Sequence, residues 1–315
     1  MDHYLVTGGA GFIGSHLAAR LLRDGHQVRI LDNLSTGKMA NVEAVRTAGD
    51  DRLEWIEGDI RDIETCRRAC DGVDFVLHQA ALGSVPRSIE NPGVTTAVNV
   101  LGTVNVFQAA REKGVRRVVS ASSSSVYGNT ATLPKHEEMT PAPLSPYAVG
   151  KLAGEEFARV FAGTMGLPTV SLRYFNVFGP RQDAGSQYAA VIPRFIAALT
   201  EGKRPTVYGD GGQSRDFTYV DNVVQANLSA CTRGDGSGEV MNIACGDRYS
   251  LNQLLRSLER ILGVKADPEF LPARPGDVRD SQASIERAAR ILGFKPSVGF
   301  EAGLTRTVES FSRAG

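Results

Sequence analysis

The chain has no surplus of charge: 35 Lys and Arg balance 35 Asp and Glu across 315 residues. That balance argues against capture by nucleic acid or by an anionic membrane surface, both of which need a basic excess. Long apolar runs are also missing, and none approaches the ~18 residues of a membrane span. The opening stretch from Met1 to Phe12 lacks the basic segment of a secretory leader and is expected to be folded protein. Cysteine is scarce. Cys66, Cys70, Cys231 and Cys245 are too scattered for a disulfide scaffold, which points to a reducing, cytoplasmic setting. Cys66 and Cys70 lie one helical turn apart, but no second Cys or His pair lies nearby to complete a metal site, so no metal is expected. Repeats and low-complexity tracts are absent, and the length suggests two domains or one large one.

What is present is a regular alternation of strand and helix. Apolar runs predict strands at Tyr4–Val6, 27–32, 53–57, 73–78, 115–120 and 169–173. Helical patterns run through Ile13, Leu17, Leu21 and Leu22, then over 94–113, with Gly114 as a stop, and over 145–162. Such alternation implies right-handed crossovers and a parallel sheet covered on both faces. Beyond about residue 175 the rhythm breaks into Gly- and Pro-rich loops separated by helical pieces at 190–200 and 251–262. The expected organisation is a dinucleotide-binding domain at 1–174 and a smaller substrate lobe at 175–315, with segments such as 215–245 returning to the first.

The first strand runs into Thr7-Gly8-Gly9-Ala10-Gly11-Phe12-Ile13-Gly14, a glycine-rich turn that opens the first helix. Glycines allow the sharp turn, the close approach of a pyrophosphate and tight helix–sheet packing, and the free N–H groups of the helix start point at the anion. Asp32 ends the next strand, where its carboxylate can accept a ribose diol and would repel a 2′-phosphate. NAD is therefore expected rather than NADP.

A second signal is Tyr147-Ala148-Val149-Gly150-Lys151. Four residues on a helix put the phenol and the ammonium on one face. A phenol of pKa about 10 is a poor base at neutral pH, and the neighbouring ammonium, together with the positive nicotinamide, is expected to lower that value. Upstream, at the end of the fifth strand, stands a run of four hydroxyls, Ser122–Ser125.

With these motifs the chain resembles the extended short-chain dehydrogenase/reductases, specifically the nucleotide-sugar 4-epimerases, over nearly its whole length. The resemblance implies an α/β fold, a Rossmann-type doubly wound parallel sheet with a smaller, discontinuous C-terminal substrate lobe. It implies NAD held by Gly8, Gly11, Phe12, Ile13, Gly14, Asp32, Asn33, Asp59, Ile60, Gln79, Ala80, Asn99, Tyr147, Lys151 and Tyr174. Ser123, Tyr147 and Lys151 are the implied catalytic residues, although within the serine run the assignment can slip by one. Related dehydratases carry Asp-Glu where this chain has Ser124 and Ser125, so elimination of water is not expected. What remains is oxidation at C4 of a UDP-hexose, turning of the 4-keto sugar, and reduction on its other face.

For the substrate the resemblance implies Asn176 and Arg215 at the diphosphate, Tyr208 near the uridine, Arg274 at a phosphate and Asp277 at the ribose. Gly83, Ser84, Ser123, Ser124, Ser125, Tyr147, Ala190 and Val191 complete the set. Ser281 falls where related glucose/galactose epimerases place a bulky tyrosine beside C2, and its small side chain leaves room for an N-acetyl group. UDP-GlcNAc/UDP-GalNAc interconversion is therefore expected, with UDP-Glc/UDP-Gal as a further reaction and a UDP-glucuronate 4-epimerase as the alternative. A non-catalytic NAD-sensing protein is the reading from another class; such proteins typically lack the active tyrosine. A homodimer is expected by analogy, with Leu101, Val104, Phe157 and Phe161 as candidate contacts. No nucleic-acid or membrane partner is expected, and His78 and His136 are read as structural.

Overall fold

The computed structural model describes residues 1–47, 50–185, 189–234, 236–273 and 279–312. Its strands are β1 (His3–Thr7), β2 (Gln27–Asp32), β3 (Leu53–Glu57), β4 (Phe75–His78), β5 (Arg117–Ser123), β6 (Thr169–Tyr174), β7 (Val177–Phe178), β8 (Thr206–Tyr208), β9 (Ser214–Arg215), β10 (Thr218–Tyr219), β11 (Glu239–Ile243), β12 (Tyr249–Ser250) and β13 (Glu269–Leu271). Seven of them form one sheet in the order β11-β6-β5-β4-β1-β2-β3, and every pairing within it is parallel.

Parallel strands covered on both faces alternate their side chains between two cores. Tyr4, Val6, Ile30, Leu77 and Val119 feed one core, and Leu5, Leu31, Val76 and Val118 feed the other. The first core is roofed by α1 (Phe12–Arg23) and by later helices at Val220–Thr232 and Glu286–Leu292. α2 (Met39–Arg46) follows β2, and the opposite face is covered from α3 (Ile63–Cys70) onward. Next come α4 (Val85–Glu90) and a long helix from Pro92 to Glu112 that passes through a π-helical stretch at Ala97–Gly102. α4 and the two α-helical parts of that long helix make α4, α5 (Pro92–Thr96) and α6 (Thr103–Glu112), and α7 spans Pro146–Thr164.

Local chemistry sets these boundaries. Ser145 caps α7 through its hydroxyl, which accepts from the Ala148 N–H at 3.2 Å, and Pro146 begins the helix where its missing N–H costs nothing. The fifth strand runs further than its apolar pattern suggests, to Ser123, because β6 pairs with it as far as Tyr174. Phe161, a candidate dimer contact, is instead a core residue, packed on Phe107 with ring centroids 5.5 Å apart. Leu101 and Phe157 remain exposed, and Val104 is half-buried.

A second apolar cluster gathers Phe178, Ile192, Phe195, Val207 and Phe217 with α10 (Leu251–Leu262) and α12 (Phe300–Ser312), the helices α8 (Val191–Thr200), α9 (Val220–Thr232) and α11 (Glu286–Leu292) being those between. This is the smaller lobe. Among the described residues no helix is long and apolar enough to cross a membrane.

Candidate active site

The sheet order reverses between β1 and β4, and ligands of doubly wound sheets bind where the loops after such strands part. Here those loops are Gly8–Gly11 and Gln79–Ala80. They open on a cleft of about 390 Å³ lined by every predicted cofactor residue except Asn99. Asn99 lies behind it, where its side chain pairs with both the N–H and the carbonyl of Leu82 (2.8 and 3.1 Å) and so shapes the cleft wall. Gly83 lines the cleft too, as do Ser35 and Thr36, two hydroxyls not singled out in the sequence although they follow Asp32 directly.

The glycine loop leaves no room for side chains. Gly8 has φ +71°, and a Cβ there would lie 2.6 Å from the Ala80 nitrogen; one on Gly14 would lie 2.2 Å from the Gly8 carbonyl oxygen. The N-terminus of α1 has no side-chain cap, so its first N–H groups are left for an anion. Asp32 accepts the N–H groups of Ala10 (3.0 Å) and Leu34 (2.8 Å). Burial raises its pKa, and those donors pull it back down. Asn33 donates to Asp59 at 2.8 Å, which ties the two loops that would flank an adenosine. Lys38, the cation that follows this loop, forms an ion pair with Asp183 at 3.0 Å.

On the far wall, α7 presents Tyr147 and Lys151. The Tyr147 side chain lies beside that of Ser123, close enough for the serine to favour the phenolate, while the Ser122 hydroxyl is bound to the carboxylate of Glu155. Lys151 donates to the Ala121 carbonyl at 2.8 Å, and its ammonium stands 6.0 Å from the centre of the tyrosine ring. The expectation that this cation lowers the phenol's pKa is not met in the chain by itself. Burial raises the Tyr147 pKa, opposed by the neighbouring Ser123, and burial lowers that of Lys151 to about 8. A dry site penalises both charged forms, and the ammonium is committed to a backbone carbonyl.

Two further cavities meet beside this wall. One, of about 290 Å³, is lined by Asn176, Ala190, Val191, Tyr208 and Arg215, and also by Arg194, Gln213 and Phe217, which sequence reasoning missed. The other, of about 560 Å³, is lined by Ser124, Ser125, Ser281, Lys135 and, again, Asn176 and Arg215. The Ser125 hydroxyl is buried without a partner, a donor waiting for a ligand. Asn176 holds a positive φ of 35°, with its side-chain amide donating to the Asp216 carbonyl at 3.1 Å. Ser84 caps α4 by accepting the Arg87 N–H. Arg274 and Asp277 lie outside the described residues.

Asp216, next to Arg215, was not anticipated. Its carboxylate accepts the N–H groups of Cys245 (2.9 Å), Gly246 (3.1 Å) and Ala283 (3.2 Å) and so joins the segments that frame the larger cavity. His78 is buried between the hydroxyls of Thr7 and Thr103, as a structural histidine should be, and His136 pairs with Glu138 on the surface.

Residues 4–244 match the model of the NAD dependent epimerase/dehydratase family. The chain belongs to this family. A UDP-glucose 4-epimerase of Mycolicibacterium smegmatis is 40% identical to it over 98% of this chain and 97% of its own length. Among solved structures, a UDP-N-acetylglucosamine 4-epimerase from Methanobrevibacter ruminantium, in complex with UDP-N-acetylmuramic acid, is 39% identical with a TM-score of 0.94, covering 100% and 99% of the two chains. A UDP-glucuronic acid 4-epimerase from Bacillus cereus, in complex with UDP-4-deoxy-4-fluoro-glucuronic acid and NAD, is 31% identical with a TM-score of 0.92, covering 99% and 100%. The enzyme is thus an NAD-dependent nucleotide-sugar epimerase of the extended short-chain dehydrogenase/reductase type. The side-chain-free glycine cradle, the uncapped helix start and the carboxylate of Asp32 on the cleft wall fit that dinucleotide.

Proposed function

We propose that this enzyme inverts C4 of a UDP-hexose, with UDP-GlcNAc/UDP-GalNAc as the preferred pair and UDP-Glc/UDP-Gal as a further one. The observation that carries the reading is Tyr147, with Lys151, lining the dinucleotide cleft next to Ser123, beside a cavity lined by Ser124 and Ser125, serines rather than carboxylates. NAD, held by Gly8–Gly14, Asp32 and the Asp59–Ile60 loop, supplies a reversible hydride acceptor when bound. Tyr147 takes the proton of the sugar 4-hydroxyl, directly or through Ser123, and returns it after the 4-keto sugar has turned. Lys151 supports the phenolate by its charge. Ser124 and Ser125 offer hydrogen bonds but neither an acid nor a base, which leaves no route to loss of water.

Arg215 and Asn176 line both cavities, so they suit the diphosphate that joins nucleotide to sugar, and Arg274 and Asp277 are proposed to assist at phosphate and ribose. Tyr208, Ala190 and Val191 suit the uridine side, while Gly83, Ser84 and Ser281 suit the sugar side. The buried, small Ser281 favours a C2 acetamido group. A second reading, a UDP-glucuronate 4-epimerase, gains support from Lys135, a cation lining the same cavity.

Incubating the purified enzyme with UDP-GlcNAc, UDP-GalNAc, UDP-Glc and UDP-glucuronate tests these readings, with UDP-GalNAc expected from UDP-GlcNAc. A uronate epimer alone would favour the second reading. No product from any of them would favour an NAD-sensing protein, and a 4-keto-6-deoxy product would mean a dehydratase. We further propose a homodimer paired through the exposed apolar residues Val94, Leu101, Phe157 and Val160 on neighbouring helices, and a cytoplasmic setting that keeps the four free cysteines reduced. A monomeric mass in solution would rule out the dimer.

A further inference from the structure

Helix α7 reaches three consecutive residues of β5 with three side chains spaced one turn apart. Tyr147 lies beside Ser123, Lys151 donates to the Ala121 carbonyl, and Glu155 accepts from Ser122. The proposed reaction uses the first two and leaves Glu155 without a task. Its carboxylate also takes a forked pair of hydrogen bonds from Arg173, at 2.8 Å to Nε and 2.7 Å to Nη2. The two side chains are 3% and 4% exposed. Arg173 stands opposite Ser122 in the β5–β6 register and lays its guanidinium 4.6 Å from the centre of the Tyr127 ring.

A buried ion pair adds little net stability, because desolvating both charges offsets their attraction. Its position therefore calls for another explanation. Lys151 donates to a neutral carbonyl, so its charge must be balanced from further off. Glu155, one turn along the same helix, lines a small polar pocket with it, together with His78, Asn99 and Thr103.

We propose that Glu155 is a positioning residue for proton transfer: it acts as the counter-charge of Lys151 and fastens the strand end that bears Ser123. The inference rests on the reading of Tyr147 as the base. The charged and titratable groups around Glu155 are few. Its own helix brings Lys151, β6 brings Arg173, and β5 brings the hydroxyls of Ser120 and Ser122. β4 brings His78, which burial pushes down to about 3 and so keeps neutral. Burial lowers the Lys151 pKa, and Glu155 pulls it back up. Without that carboxylate the ammonium loses its proton at lower pH, and the tyrosine loses the cation that favours its phenolate.

The pH dependence of kcat, measured on the NAD-loaded enzyme, tests this. Glu155→Gln, and the double variant Glu155→Gln with Arg173→Gln, which leaves no unpaired guanidinium, are expected to move the alkaline limb toward acid by roughly half a pH unit or more. KM for the UDP-sugar is expected to change less than about twofold, since Glu155 lines neither substrate cavity. Glu155→Asp keeps the charge and the wild-type limb, whatever its rate. An unmoved limb in the double variant overturns the proposal; so does failure of both Gln variants to fold and load NAD, which would make the pair a determinant of the fold alone. Tyr147→Phe separates the two readings: wild-type turnover there would sink the base itself, whereas an inactive Tyr147→Phe beside an unmoved double variant would sink only the role of Glu155.

Discussion

The side chain of Tyr147 lies beside that of Ser123, and Ser122, its rival in the serine run, is occupied by Glu155. One serine is thus left to the phenol and the other is held by the interior. Because burial raises the Tyr147 pKa, the proposed role of base calls for a further positive charge nearby, which a bound nicotinamide would supply.

Tyr147→Phe removes the proton acceptor while keeping the ring. Turnover is expected to fall by at least ~100-fold with NAD still bound. Coenzyme released on denaturation and epimer formed per minute are the two measurements, and a wild-type rate would mean that the base lies elsewhere.

Gly14→Ala places a methyl group 2.2 Å from a backbone oxygen that cannot rotate away. The helix start must shift off the sheet, so NAD affinity is expected to drop tenfold or more, about 1.4 kcal/mol. Equilibrium dialysis with NAD checks this, and unchanged affinity would show that the cradle tolerates the shift.

Ser281→Tyr narrows the cavity where a C2 substituent is proposed to sit. Turnover of UDP-GlcNAc is expected to fall at least ~10-fold while that of UDP-Glc stays within about twofold. Equal losses would mean that this side chain does not gate C2.

Asp216 has its pKa pushed up to about 6 by burial, against the three N–H donors that favour its charge. The folded protein therefore keeps this proton up to about pH 6, whereas the unfolded chain releases it near pH 4. Between those values the folded state binds more protons, so stability falls as pH rises, by about 3 kcal/mol from this group. Asp216→Asn is expected to flatten that slope in urea unfolding measured from pH 4 to 7. A variant with the wild-type slope would assign the pH dependence to other groups.

Much of the site was legible because its signals are local. The glycine turn, Asp32 at a strand end and the one-turn spacing of Tyr147 and Lys151 each depend on a few neighbouring residues whose backbone the sequence dictates. The resemblance pointed to Ser123 but left room for a slip of one, since which hydroxyl meets Tyr147 depends on how α7 packs on β5. Asp216 and Arg173 were invisible for the same reason: a carboxylate that gathers N–H groups from residues 245, 246 and 283, or a guanidinium paired across to a helix, leaves no periodic trace. The rise that burial gives the phenol in the coenzyme-free chain was not readable either, because adjacency in sequence says nothing of burial.

β11 enters the sheet at residues 239–243 only after the chain has built α8 and β8 in the smaller lobe, and α10 and α12 return to that lobe afterwards. The two halves are thus stitched together by several passes of backbone. A protease nick in one connecting loop leaves the remaining threads intact, and a fragment stopped at residue 174 strips β6 of its outer neighbour. A graft of the proposed substrate cavities onto another scaffold would therefore have to carry segments from both parts of the chain.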